Sequence, residues 1–379
     1  MHILVIPGAF PNEYNTFAGI FFSQMTDSMQ DAGFNMGVVA PDIRPFAAFR
    51  DINSVREIGK KYSYKTKSGV PILRKISINM SPGFRFSSRN TFVSYSIELF
   101  NDYVEIYGVP KIILAHTSLW AGLAALKIKD KTGIPYIVYE HSSDILRQRL
   151  SKQDNGYVQK IMNGALNVIA VSNSLKLAIE RLYGINAVII PNLVNWIEIK
   201  ESNKNKSSIV SIGNLIPVKG YTYLIDAFAK CKKEIPDLTL TIIGGGSELS
   251  SLQALCNQHG IIASVNFKGP LSPENTKLEI SNHGIFVSSS LYETFGVAIV
   301  EALMTGMPVV ATRSGGPEDI VNKLNGVLCE SGDTEDLYKA ILYVYNHYND
   351  FDHSEIRKAA QNKFGEKAII EKLKTIFHE

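Results

Sequence analysis

At 379 residues the chain exceeds the ~250–300 at which one hydrophobic core stops growing, so two domains are expected. A hydrophobic content of 45% and a charged content of 20% exclude disordered, collagen-like and coiled-coil chains. The net charge of +3 hides a division, because residues 1–195 hold 21 Lys/Arg against 14 Asp/Glu while the rest holds 18 against 22.

From the first residue onward, short β-branched runs alternate with longer helical patterns, the signature of parallel sheets covered by helices. HILVIP, MGVVAP, KIILAH, PYIVYE, NVIAVS and AVIIPN are the expected strands of the first half, and Gly133 closes the helical pattern between the third and fourth. The opening MHILVIPGAFPNEY has no basic lead and only a short apolar run, so it is read as a first strand and the chain as cytoplasmic. No apolar stretch reaches the ~18 residues needed to cross a bilayer. Between Arg44 and Arg89 stand 11 basic residues against Asp51 and Glu57. Such a window suits an anionic surface or substrate, or is a solvated loop with no partner.

Periodicity lapses between about Asn195 and Ser208, the expected linker, where the charge also changes sign. The second half then gives SIVSIG, LTLTIIG, SVNFKG, GIFVSSS and MPVVATR as strands. Two doubly wound domains facing each other across a cleft are therefore expected, at 1–195 and 196–364, with a terminal helix from 365 to 379 returning to the first. Cys231, Cys256 and Cys329 are widely spaced and read as buried, reduced thiols.

Several chemistries lack their signatures. After the first strand comes IPGAFPNEY, with one glycine where a dinucleotide fingerprint wants three. IIGGGSELSSL has the wrong glycine spacing and reads as a tight strand-to-helix turn. Neither a P-loop nor a nucleophile elbow is present. His259 and His283 are isolated, and the Asp350-Phe351-Asp352 run lies in a polar turn, so no metal site is expected. No nucleic-acid partner is expected either.

One stretch carries chemistry. In SLYETFGVAIVEALMTGMPVV, the loop LYET leaves the carboxyl end of a buried strand, where open α/β sheets bind ligands. Thr294 suits an N-cap, and Gly306 with Pro308 marks a stop, so a helix is expected over about Phe295 to Thr305. Its first turn is an anion site or a plain helix start, and Gly296 admits a close ligand. Glu301 is the exception on an otherwise apolar helix. A buried carboxylate needs a partner, which is either a ligand hydroxyl at the mouth or a salt bridge within the protein.

Glu293 and Glu301, followed by GMPVVATRSGGPEDIV and NGVLCESGD, resemble the donor-site signature of the retaining glycosyltransferases of family 4, which have the two-domain GT-B architecture. The resemblance extends back through SIGNLIPVKGYTYLIDAFAK, PDLTLTIIGGGSEL, VNFKGPLSPE, VIAVSNSLK and VIIPNLVN, covering about Asn167 to Tyr343. The first half is similar more loosely, through AGIFFSQM, AHTSLWAG and YEHSS. The resemblance implies a nucleotide-diphosphate sugar donor and, as acceptor, a saccharide or a lipid-diphosphate saccharide. It implies no cofactor and no divalent metal, and it implies retention by front-side attack, with a donor phosphate oxygen taking the acceptor proton.

Residue by residue, the resemblance makes Glu301 the ribose ligand and Glu293 the group near the donor sugar. Phe295, Gly296 and Val297 would offer amides to the sugar and diphosphate, and Lys219 would neutralise the phosphates. Asn214 stands where many members carry Arg, so phosphate binding would lean on Lys219; Leu193 replaces a usual Gly. The segment Phe267 to Gly269, with Lys268, would see the base. Gly19 resembles the glycine facing the diphosphate, and His141 the histidine that reaches sugar and acceptor; both His141 and His116 are otherwise core histidines. The basic window would meet anionic lipid on the inner face of the cell membrane. Alternatives in the same architecture are an epimerase, a phosphorylase, or an inactive nucleotide-sugar binding protein.

Overall fold

The computed structural model describes residues 1–13, 15–16, 18–45, 48, 55–79, 85–195 and 205–378. The chain divides into two compact units. Met1–Val171, Lys176–Leu193 and Ile370–Glu379 form the first, Ser172–Leu175 and Val194–Ile369 the second. Most of the expected linker, residues 196–204, lies outside the described residues.

The first unit is built on β1 (His2–Pro7), β2 (Asn35–Pro45), β3 (Lys61–Lys65), β4 (Pro71–Asn79), β5 (Ile112–His116), β6 (Tyr136–Glu140), β7 (Asn167–Ala170) and β8 (Val188–Ile189). They form one sheet in the order β3-β4-β2-β1-β5-β6-β7-β8, parallel except for β3 against β4. β5 and β6 are buried along their whole length, which is why they read as unbroken apolar runs. The terminal helix Glu366–His378 enters this unit from Ile370, and Phe377 packs its ring on Phe34 with centroids 5.8 Å apart.

The second unit carries β9 (Asn205–Ile212), β10 (Thr239–Ile243), β11 (Val265–Gly269), β12 (His283–Ser288), β13 (Val309–Thr312) and β14 (Gly326–Cys329). Its sheet is parallel throughout, in the order β11-β10-β9-β12-β13-β14. Leu224, Phe228, Leu240 and Ile285 pack at its centre. Each such side chain stabilises the fold by about 1.5–3 kcal/mol relative to exposure. Cys231, Cys256 and Cys329 are free and buried.

Strand order places the sites. In the first sheet β1 lies between β2 and β5; in the second, β9 lies between β10 and β12. At these switch points the following loops part to opposite faces and leave a crevice at the strands' carboxyl ends. The glycine run after β10 is a backbone docking device: Leu215 N donates to Gly245 O at 2.9 Å and Gly213 N to Ile243 O at 3.0 Å.

Three strands, β3, β4 and β14, are additions to the expected set. β3 and β4 lie inside the basic window, where lysine and arginine interrupt the apolar pattern, and β14 has only four residues. The window is also less basic in space than in sequence. Arg44 pairs with Asp42 at 2.6 Å, Lys61 with Asp102 at 2.6 Å, Lys75 with Glu98 at 2.6 Å and Lys60 with Glu57 at 2.6 Å. Arg74 is buried beside Asp42 and donates to Pro11 O at 2.5 Å, and Arg89 is buried against Asp154. Arg56, Lys65 and Lys67 are exposed. Arg50 and the side chain of Arg85 lie outside the described residues.

Candidate functional site

In the second unit the loop after β9 and the loop after β12 are stitched together at the switch point. Leu291 N donates to Val218 O at 2.8 Å, and Ser289 Oγ to Lys219 O at 3.0 Å. This docking brings Lys219 Nζ to 2.5 Å from Glu293 Oε2. Two residues expected at the donor site therefore meet directly, each retaining some contact with solvent.

Glu293 is held by its backbone as well. Its N–H donates to Ser314 O at 2.9 Å, and its carbonyl accepts from Gly316 N at 2.7 Å, forming a single parallel bridge with Gly315. The chain must turn sharply out of this bridge, and it does so at Gly296, whose φ is 105°. That geometry corrects the expected helix start. The helix spans Val297–Met304 with Gly296 as N-cap, so Thr294 does not cap it and Phe295 lies outside it. Phe295 is 2% exposed and its ring packs on Phe364, which leaves only its backbone for a ligand. No side chain caps the helix, so its first amides and the positive end of its dipole are left to an anion. The stop falls as expected, with Thr305 as C-cap and Gly306 at φ 79°.

Glu301 sits one turn into this helix. Desolvation pushes its carboxyl up to about 7, and the positive charge of Lys277 pulls it back down. Lys277, on the helix Pro273–Ser281, is buried and donates to Asn195 O at 2.6 Å. The Glu301 carboxyl has no hydrogen-bond partner among the described residues. Lys268, at the end of the edge strand β11, lies 3.3 Å from Glu279, and Asn214 is exposed in the loop after β9.

In the first unit, Gly19 is the N-cap of the helix Ile20–Asp31 with φ 63°, and a Cβ there would lie 2.2 Å from Ala9 O. Only glycine permits that approach. The next turn brings Phe22 and Phe21 onto two histidines, with ring centroids 4.3 Å apart for Phe22–His116 and 5.4 Å for Phe21–His141. His116 Nδ1 and His141 Nε2 are 3.1 Å apart, so one nitrogen donates and the other accepts between neutral rings. Burial pushes His141 down to about 3, against a smaller opposing pull from Asn192, and lowers fully buried His116 well below the usual value.

Two contributors escaped the sequence reading. Glu140, fully buried at the end of β6, receives hydrogen bonds from three backbone amides and one hydroxyl. Its signal was available, since it is a carboxylate closing the apolar run PYIVYE, the same irregularity that singled out Glu301. Lys277 carried no signal, because a lysine on an amphipathic helix reads as solvent-facing. Among the described residues no group of three or more His, Cys, Asp or Glu side chains comes together to hold a metal ion, and no helix is long and apolar enough to cross a membrane.

Two family models match in series, Glycosyltransferase Family 4 over residues 18–195 and Glycosyl transferases group 1 over residues 194–363. The chain belongs to the group 1 glycosyltransferases of family 4. The sucrose-phosphate synthase of Zea mays is 31% identical over 166 residues, which are 39% of this chain and 16% of that protein. The chain thus spans only a small part of that relative's length. TuaC of Bacillus subtilis, named by inference as a teichuronic acid biosynthesis glycosyltransferase, is 23% identical over 362 residues, 90% of this chain and 88% of TuaC. Anabaena HepE in complex with UDP-glucose superposes with a TM-score of 0.75 at 18% identity, covering 100% of both chains. These likenesses give two Rossmann-like domains of the GT-B fold.

Proposed function

We propose that the chain is a retaining, metal-independent glycosyltransferase that moves a sugar from a nucleotide-diphosphate donor to a hydroxyl of a lipid-linked saccharide, in the making of a cell-surface polysaccharide. The observation that carries this reading is the convergence of Lys219, Glu293 and the uncapped Val297–Met304 helix at the β9/β12 switch point.

The chemistry follows from the charge that develops. As the acceptor oxygen bonds to the anomeric carbon, the bond from that carbon to the diphosphate breaks, and the acceptor proton passes to a phosphate oxygen on the same face. The leaving diphosphate gains negative charge where the first-turn amides of the helix and the Lys219 ammonium are fixed in advance. Lys219 then exchanges Glu293 for phosphate, and Glu293 is released toward the sugar hydroxyls. Glu301, ionised, accepts from the ribose. Asn214 contributes hydrogen bonds without charge, and Lys268 borders the base. On the first unit, Gly19 opens the Ile20–Asp31 helix to the diphosphate and His141 reaches the sugar. The side chains offered to an anionic membrane surface are Arg56, Lys65 and Lys67, beside exposed Val55 and Tyr64.

UDP-glucose bound to HepE, and the name of TuaC, support the donor class and the polysaccharide setting. The test is turnover of labelled UDP-, GDP- and ADP-sugars with a panel of lipid-linked saccharides, reading the anomeric configuration of the product. An inverted product, or no turnover with any donor, contradicts the proposal.

A further inference from the structure

At the carboxyl ends of β5 and β6 the first unit carries a device that the roles given to His141 and Gly19 leave unexplained. Thr117, directly after β5, has φ 75°. A β-branched residue in the left-handed region is strained by about 1–3 kcal/mol and persists only where its surroundings hold it. It opens a π-helical turn, Thr117–Gly122, a rare geometry that places Ser118 and Trp120 at a pocket of about 450 Å³.

Glu140 ties down the turn that Thr117 opens, through the next residue. Its Oε2 accepts from Ser118 N at 2.9 Å and from Ser118 Oγ. Its Oε1 accepts from His141 N at 2.9 Å and from Ser142 N at 2.8 Å. The carboxyl group is 0% exposed, and burial disfavours a positive charge on its chain neighbour His141 and on His116. Four donors from two separate turns take the place of water. Burial raises its pKa above the ordinary carboxylate value, and these hydrogen bonds pull it back toward the ionised form. Three of the four donors are backbone N–H groups, which require acceptor oxygens. The same turns supply the pocket's polar wall: Thr117, Ser118, Ser142 and Asp144, with the indole of Trp120 as an apolar face.

We infer that Glu140 is a positioning residue: it pins the strained turn after β5 to the turn after β6, and so shapes a pocket that takes a hydroxyl-rich saccharide ring of the acceptor. Naming the occupant rests on the proposed transferase reading; the clamp itself does not. The pocket's volume suits a small ligand, within the usual ~300–1,000 Å³. Aligned hydroxyls meet its serine, threonine and carboxylate oxygens, and the C–H face of a sugar meets the indole.

The test is Glu140→Gln, which keeps the shape but replaces one acceptor oxygen with an NH₂ group, alongside Ser118→Ala, which removes one donor and leaves the carboxylate. Amide hydrogen exchange at Ser118, His141 and Ser142 should accelerate about tenfold or more in Glu140→Gln and in the same direction, less strongly, in Ser118→Ala. In transfer assays the KM for the saccharide acceptor should rise about tenfold while affinity for the nucleoside diphosphate without its sugar, read by thermal shift, stays unchanged. Wild-type exchange at all three amides in both variants overturns the inference. So does a general structural effect, in which nucleoside-diphosphate affinity and acceptor KM worsen together. If Glu140→Gln does not fold, Ser118→Ala decides alone. If the wild-type chain transfers sugar to no acceptor, the function reading fails while the exchange measurement still decides the clamp.

Discussion

Lys219 and Glu293, 74 positions apart, form an ion pair at 2.5 Å in the second unit. The resemblance to family 4 gives them separate roles, phosphate and sugar, and the fold makes them one electrostatic unit. Lys219→Ala should therefore reduce transfer about a hundredfold or more, the cost of losing a preorganised charge at the leaving group. Because both side chains touch solvent, their coupling in a double-mutant cycle with Glu293→Ala should stay near 1 kcal/mol or below in urea unfolding. Wild-type turnover in Lys219→Ala would remove the residue from the mechanism.

Glu301 makes stability depend on pH with a definite sign. Its carboxyl, pushed from 4.5 up to about 7, holds a proton in the folded chain that the unfolded chain has already released. Its contribution is full below about 4.5 and is lost as pH rises through about 7, by at most about 3 kcal/mol. Glu301→Gln lacks this loss, so its stability relative to wild type should climb between those limits. Donor affinity should move the opposite way in wild type, strengthening as Glu301 ionises. Parallel stability curves for the two proteins would show that the carboxyl is not desolvated.

The histidine pair acts in the opposite sense. His116 and His141 are neutral when folded and charge on unfolding, so stability falls as pH drops below about 6.5, by up to about 1.4 kcal/mol per unit for each ring. His141→Gln should make the acid limb of the unfolding curve shallower. If His141 works as a neutral group, transfer by wild type should show no inflection of its own near the usual histidine value. An inflection there that vanishes in His141→Gln would mean the ring titrates during turnover.

How much of this was legible depended on contrast. Runs such as KIILAH and PYIVYE announced β5 and β6 because both faces of a parallel strand are buried, and Glu301 stood out against an apolar helix. β3 and β4 were hidden because lysines and arginines break their apolar pattern: β3 is an edge strand, where exposed charge is tolerated, and the charges of the interior strand β4 are paired, Arg74 beside Asp42 and Lys75 with Glu98. The start of the Val297–Met304 helix moved from Thr294 to Gly296 because a tertiary bridge, Glu293 to Gly315, dictates the turn, and no local propensity encodes it. The Lys219–Glu293 contact was invisible for the same reason.

The bridge gives its own prediction. Gly296→Ala places a Cβ at φ 105°, and 2.9 Å from Ile299 Cδ1, where the flexible Ile299 tip can shift but the backbone strain stays. Stability should fall by about 1–3 kcal/mol, with donor affinity falling as the first-turn amides move. Unchanged melting and binding would mean that the turn is not needed.

The central claim is that the second unit binds a nucleotide-diphosphate sugar through Lys219 and Glu301 without a divalent ion. Thermal shift of the whole chain against UDP-, GDP- and ADP-sugars, in excess chelator, tests it most directly. One of these donors at ~100 times its dissociation constant should stabilise wild type by about 2.7 kcal/mol, and the gain should vanish in both Lys219→Ala and Glu301→Ala. Stabilisation that appears only when Mg²⁺ or Mn²⁺ is restored, or that persists in both variants, would contradict the account.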